Sequence, residues 1–283
     1  MVEEKESKGM QFIWDSLRVQ LTFGVLILQA VCIFSIALIA EDRLKSSFLA
    51  QLESQQKSDL GFVAKWLEGE ISERIGALQT VADHLPPEDW SNSRTTQGHL
   101  GSQSGISRFF GQDVYVLSPS GIRVAEVPAR QLIGVDFRNT PYLDRALHTK
   151  RPVVMPLIDG FSGRPNLVFA VPVLDKSGSV VAVICGSDRL GPGTHFDIAG
   201  FTRSGSLGGY QVIALTERTY VAHTDASKVL KDVQDGAAAS RPEHRIEDGF
   251  EGAARSIDAA GHELMSHAMP LQAINWRVVA YVP

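Results

Sequence analysis

His262-Glu263-Leu264-Met265-Ser266-His267 is the stretch closest to a metal-binding pattern. In H-E-x-x-H two imidazoles stand one helical turn apart and share a zinc ion. Here the histidines are five apart. On a helix they would diverge by about 140°, and on a strand they would face opposite sides. No zinc site is expected. Gly101-Ser102-Gln103-Ser104-Gly105 imitates a nucleophile elbow, but Gln103 stands where the serine must be. Gly191-Pro192-Gly193 lacks the rest of a dinucleotide fingerprint, and no P-loop occurs. His223 could change charge near neutrality. The favoured reading is a turn residue bonded to the backbone near Asp225. The residues therefore predict no catalytic centre, metal or cofactor, and the chain is not expected to be an enzyme.

The composition points the same way. The chain has 283 residues, 44% hydrophobic and 21% charged, which excludes wholesale disorder. A net charge of −5 argues against nucleic-acid binding. The two cysteines, Cys32 and Cys185, form no C-x-x-C, so neither a thiolate zinc site nor a redox pair is expected.

Any binding residues must be positioned by the elements around them, and the N-terminal one is the plainest. Val19–Ala40 runs 22 residues without a charge. As a helix it spans about 33 Å, enough for a bilayer core of ~30 Å. Leu38 and Ala40 fit a signal-peptidase site poorly, so an uncleaved anchor is predicted. Orientation is weakly encoded, the positive charges being tied: Lys5, Lys8 and Arg18 precede the span, and Arg43, Lys45 and Lys57 follow it.

Residues 41–85 read as one long helix. Phe48, Leu52, Leu60, Val63, Leu67, Ile71, Ile75 and Leu78 recur at helical spacing. The stripe can pair with a second copy or pack on its own domain, and different parts can do each. Pro86-Pro87 ends the helix. Residues 88–110 read as a connecting loop with one helical turn.

Strand patterns follow. Gln112–Ser118 and Ile122–Val127 form a hairpin around Pro119-Ser120-Gly121. Thr140–Leu147 reads as a short helix, with Thr140 as N-cap and Pro141 first inside. Asn166–Leu174 and Ser179–Gly186 form a second hairpin, apolar on both faces and hence central. Pro172 predicts a bulge or an open edge. Near residue 205 a second unit begins. Gly209–Leu215 and Thr219–His223 form a hairpin, residues 226–234 allow a short helix, and Ala253–Ile257, Glu263–Ala268 and Trp276–Val282 read as strands. The two units share an order of elements.

From about residue 40 to 283 the chain resembles the extracytoplasmic double Cache sensor domain of bacterial transmembrane receptors, of the diguanylate cyclase or sensor histidine kinase type. The likeness is carried by Asp113–Ser118 with Gly121, Ile133-Gly134-Val135-Asp136-Phe137, and Pro141-Tyr142-Leu143 with Ala146-Leu147. It continues through Ser162-Gly163-Arg164-Pro165, Ala170-Val171-Pro172-Val173 with Asp175 and Gly178, and Val180–Gly186 with Asp188. In the second unit Gly208-Gly209-Tyr210, His223-Thr224-Asp225, Gly249-Phe250-Glu251-Gly252 and Trp276–Pro283 also fit. The resemblance implies an α+β fold: an N-terminal transmembrane helix, a long stalk helix and two PAS-like (Cache) antiparallel-sheet modules. The expected segments are a cytoplasmic N-terminus (1–18), a transmembrane helix (19–40), the stalk (41–85), a membrane-distal module (86–200) and a membrane-proximal module (201–283). It further implies a second membrane helix and a cytoplasmic output domain after the last strand. The chain stops at Pro283, where that helix would start, which suggests a truncated chain or a degenerate gene.

In the family the distal module often binds a small metabolite. One subset holds amino acids with Arg-x-Trp-Tyr on the carboxylate and an Asp, at the end of the last strand, on the amine. A guanidinium forks onto a carboxylate, and a carboxylate neutralises an ammonium. Here Tyr142 and Asp188 match. Asn139 or Thr140 stands at the arginine place, Pro141 at the Trp place, and Arg138 is displaced by one or two positions. The pocket expected is lined by Tyr142, Asp188, Tyr115, Arg123, Arg138, Phe169 and Met155.

The function expected is a ligand-sensing input module, anchored in the bacterial inner membrane and facing the periplasm. Its partners are a small molecule, the membrane and a second copy through the stalk. The rivals are a membrane-anchored domain that binds a protein partner, and a membrane-anchored hydrolase.

Overall fold

The computed structural model describes residues 17–84, 86, 89–90, 92–103, 105–201, 208–233, 251–257 and 263–282. It divides into two compact units, Met1–Gln55 and Gln56–Pro283. Lys5, Lys8, Pro87, Phe250 and His262, which enter the sequence readings above, lie outside the described residues. So do the side chains of Phe48 and Leu52.

The uncharged run and the amphipathic stretch form one helix, α1 (Leu17–Asp83, 67 residues). Within the first unit, Leu21–Glu41 is long and apolar enough to cross a membrane and has no buried share. Ser35 Oγ donates to Val31 O at 2.8 Å, which removes the cost of an unpaired hydroxyl in an apolar setting. In the second unit Leu60, Val63, Leu67, Ile71 and Leu78 are buried. From Leu60 onward the stripe thus packs on its own domain.

α2 (Ser93–Ser102) fills most of what the sequence suggested was loop. Asn92 caps it, its side chain accepting from Arg94 N and Thr95 N. Gly98 and Gly101 depress its propensity, and tertiary contacts supply what propensity lacks. Gln97 accepts from Glu126 N at 2.9 Å and donates to Glu126 O at 3.1 Å. An amide side chain thereby closes a sheet edge.

The first sheet contains β1 (Asp113–Leu117), β2 (Arg123–Val127), β3 (Val153–Ile158), β4 (Pro165–Leu174) and β5 (Val180–Arg189), in the order β2-β1-β5-β4-β3. Every pairing is antiparallel. β3 has no counterpart in the sequence reading. Pro172 sits past the end of the β3 ladder, which stops at Val153↔Ala170, and the register with β5 shifts at Val173/Leu174. The missing N–H therefore breaks no bond to β3. Gly121, with φ +87°, turns the first hairpin. A Cβ there would lie 2.5 Å from the Arg138 backbone, so only glycine fits.

α3 (Pro141–Thr149) covers one face of this sheet. Thr140 occupies its N-cap position, but the hydroxyl donates to Phe137 O at 2.7 Å instead of capping. The sheet separates two cores by strand alternation. Val114, Val116, Leu167, Phe169, Val171 and Ile184 join the α1 core. Tyr115, Leu117, Val168, Ala170, Val183 and Cys185 face Tyr142, Leu143 and Ala146 of α3.

The second sheet contains β6 (Gly209–Ala214), β7 (Thr219–His223), β8 (Gly252–Ile257), β9 (Glu263–Leu271) and β10 (Trp276–Val282), in the order β7-β6-β10-β9-β8. This is the strand order of the first sheet repeated. The helix predicted over 226–234 is a 3-10 turn, Ala226–Lys228. Asp225 caps that turn through Ser227 N. An ion pair of 2.8 Å from Arg145 on α3 to Glu217 in the β6–β7 turn ties the sheets together.

Candidate functional site

Between the α3 face of the first sheet and the loops that frame it lies a cavity of about 370 Å³. That is the size of a small-metabolite site. Its floor is built by alternation. β1 contributes Asp113 and Tyr115, β4 contributes Asn166 and Val168, and β5 contributes Ser187. Tyr142 and Pro141 form the α3 wall. Leu132, Phe137 and Phe161 come from the flanking loops.

Charge inside the cavity is largely paired. The Arg123 guanidinium lies over the Tyr115 ring at 4.3 Å. It bonds Asp113 Oδ2 at 2.8 Å and meets Glu126 Oε2 at 3.0 Å. Asp113 Oδ1 accepts from Ser187 Oγ at 2.5 Å. Glu126 Oε1 also accepts from Arg130 N and Gln131 N, both at 2.7 Å, and so folds the 130–132 wall. Buried charges persist only when paired in this way. The hydroxyls of Tyr115 and Tyr142 lie 3.0 Å apart, and burial, the leading cause, raises both pKa values. Both phenols stay neutral. Burial likewise pushes the Cys185 thiol up, leaving it an inert core residue. Two buried polar atoms here make no hydrogen bond: Arg123 Nε, which faces the Glu126 carboxylate at 3.0 Å, and Asn166 Oδ1, which has no partner at all.

Of the residues expected at the site, the structure brings Tyr115, Arg123 and Tyr142 together. Four are elsewhere. Asp188 faces away, because β5 runs on to Arg189 and alternation puts Ser187 on the cavity side and Asp188 on the α1 side. There it takes Arg74 Nη2 at 3.2 Å and His195 Nδ1 at 2.9 Å. Phe169 shares that side and packs edge-on to Phe110 at 5.7 Å. Met155 is buried beside α3 without lining the cavity. Arg138 is exposed and bonded to Asp136 at 2.6 Å. The residues missed are Asp113, Glu126, Asn166 and Ser187. Asp113 stands two before Tyr115, and Ser187 two after Cys185, so strand period was the signal. A broader depression of about 640 Å³ includes Asp188 and His195, but that carboxylate is already spent on α1. Among the described residues no cluster could hold a metal ion.

His223 Nδ1 accepts from Asp225 N at 2.8 Å. Burial first, then the Lys228 charge, lowers its pKa from the usual 6.5 to about 4. It is neutral at pH 7.

Two topologically equivalent antiparallel sheets on a long helix, one sheet roofed by a short helix over a metabolite-sized cavity, define a tandem sensor-domain architecture. The sequence matches the Cache domain family (dCache_1) over residues 40–283, and the chain belongs to that family. Solved structures share the fold. The ligand-binding domain of the Pseudomonas aeruginosa PAO1 amino acid chemoreceptor PctB, in complex with L-Arg, superposes with a TM-score of 0.66 at 19% identity, covering 82% of this chain and 95% of that one. The ligand-binding domain of the Pseudomonas fluorescens chemoreceptor CtaA, in complex with L-serine, gives 0.62 at 18%, covering 84% and 98%. An extracellular ligand binding receptor from Desulfohalobium retbaense gives 0.62 at 16%, covering 82% of this chain. This chain spans 41% of that receptor's length. No curated protein matches the chain by sequence.

Proposed function

We propose that this chain is the sensory input of a transmembrane signalling receptor, with a small molecule bound in the cavity under α3. The observation that carries this reading is the cavity itself: about 370 Å³, walled by Tyr115, Tyr142 and Phe137, with Asp113 and Asn166 at its floor. The Cache assignment and the ligand-bound chemoreceptor domains of the same fold support it. Those domains hold amino acids. In this chain Arg123 is already engaged by two carboxylates, so an amino-acid carboxylate would have to find another donor.

In this reading residues 19–40 anchor the chain in the inner membrane, with 1–18 cytoplasmic and 41–85 a stalk whose part before Leu60 pairs with a second copy. Residues 86–200 are the membrane-distal module and 201–283 the membrane-proximal one, both periplasmic. The exposed apolar side chains of Leu21–Glu41 support the anchor. Ligand binding shifts a bistable element, α1, and so biases a cytoplasmic output domain. A cyclase or kinase as that output rests on the sequence resemblance alone.

The test is a thermal-shift screen of the detergent-solubilised chain against amino acids, amines, carboxylates and purines. A ligand of the folded state raises the melting temperature by mass action. The reading predicts a selective hit. Silence across the set favours a domain that docks a protein partner.

A further inference from the structure

Resting on the cavity as a ligand site, we infer that its ligand is a primary amine carrying an apolar or aromatic body, read through its ammonium and without need of a carboxylate.

Three adjacent strands, β1, β5 and β4, carry Asp113, Ser187 and Asn166 to one end of the cavity floor. Asp113 stands opposite Ser187. Asn166 lies two residues along β4 from Val168, which is Ser187's other neighbour. Each residue offers an oxygen. Asp113 is a carboxylate with further lone pairs. The Ser187 hydroxyl donates to Asp113 and keeps accepting capacity. Asn166 Oδ1 is an acceptor with no donor, on a side chain only 5% exposed. An orphaned buried acceptor costs about 1–3 kcal/mol, and a donor brought by a ligand removes that cost. An ammonium presents three N–H donors and no acceptor.

The cations nearby do not compete for an anion. Arg123 lies between Asp113 and Glu126, and Arg130 Nη2 donates to Gln112 O at 2.8 Å. The fully buried group is two carboxylates to one guanidinium, since Arg130 is half-exposed and its Nε reaches Asp113 Oδ2 only at 3.8 Å; that balance favours a further positive charge. Asp136 and Asp159 add acid at the cavity lining.

An aromatic series beside these oxygens fits the body of such a ligand. Tyr115 stacks on Phe137 at 5.8 Å, and Phe137 meets Phe161 at 5.9 Å. The series runs from a buried ring to one that is 59% exposed. Ring faces attract cations and bury apolar groups.

The test is calorimetric titration of the detergent-solubilised full chain with three probes of one shape: 2-phenylethylamine, L-phenylalanine and phenylacetate. The inference predicts that the amine binds at least tenfold tighter than the amino acid and that phenylacetate does not bind. Asn166→Leu should weaken the amine at least tenfold while raising the melting temperature of the free protein, because it deletes the orphan acceptor. That pairing separates lost binding from lost folding. Asp113→Asn should weaken the amine further. Tighter binding of phenylacetate or phenylalanine overturns the inference. If that binding disappears in Tyr142→Ala, the cavity remains the ligand site and only the ligand class is wrong. Amine binding unchanged in Asn166→Leu overturns it too. If no probe binds but a hit from the wider screen depends on Tyr142, the amine class is wrong and the site stands. If nothing in the wider screen binds, the site reading fails with it.

Discussion

Ser187 and Asp188 are neighbours on β5 that serve opposite faces of one sheet. Ser187 bonds Asp113 on the cavity floor, and Asp188 bonds Arg74 on α1. In the proposed function, a ligand that shifts β5 acts on α1 through this pair of neighbours. The strand's period of two sets a cavity residue and a partner of the helix side by side.

Asp188 is thus bound to α1, on the face of the sheet opposite the cavity. Asp188→Ala leaves the buried Arg74 with Glu70 as its ion-pair partner and the Phe196 ring 4.9 Å away. Breaking a buried pair costs about 3–5 kcal/mol. The double replacement Arg74→Met with Asp188→Leu should recover most of that loss. Denaturant midpoints check both values.

Gly121 and Gly178 separate strain from collision. Both have positive φ, +87° and +76°, but only at Gly121 would a Cβ meet backbone, at 2.5 Å. Gly178→Ala should cost about 1–2 kcal/mol, the left-handed penalty alone. Gly121→Ala should cost clearly more, because the collision adds to the same penalty. Thermal unfolding of the two variants gives the comparison.

Stability should fall on mild acidification through His223. Its folded pKa, about 4, lies below the usual 6.5. Between these values the unfolded chain binds the extra proton, so stability is full above about pH 6.5 and declines toward pH 4. His223→Gln should flatten this part of the pH profile, as read by unfolding midpoints.

The tyrosine pair should be worth little to folding. Tyr142→Phe leaves the Tyr115 hydroxyl without its partner at 3.0 Å and should cost about 1 kcal/mol. A double-mutant cycle with Tyr115→Phe measures the coupling.

Most strands were legible because turn chemistry brackets them: Ser118–Gly121, Asp175–Gly178 and Thr216–Arg218 each separate two β-rich runs. β3 was not, since Pro156 interrupts a short apolar run and only pairing with β4 makes it a strand. α2 was hidden by its serines, threonines and glycines, which need Asn92 and the Glu126 backbone to hold a helix. The unbroken α1 joins two segments whose helical patterns differ only in what they face. Of the cavity lining, Tyr115, Arg123 and Tyr142 were expected from the sequence. Asp188 was expected there from the family resemblance, with the strand read as ending at Gly186. Three residues more of ladder fix its side chain on the α1 face. Asn166 gives no sign in sequence, since its orphaned oxygen exists only once three strands are assembled.

The most direct measurement of ligand sensing in this cavity compares one hit from the metabolite screen on three proteins: wild type, Tyr142→Ala and Asp188→Asn. We predict that the melting-temperature rise disappears in Tyr142→Ala and persists in Asp188→Asn. A rise that survives Tyr142→Ala and is lost in Asp188→Asn would place the ligand on the α1 face and contradict the account.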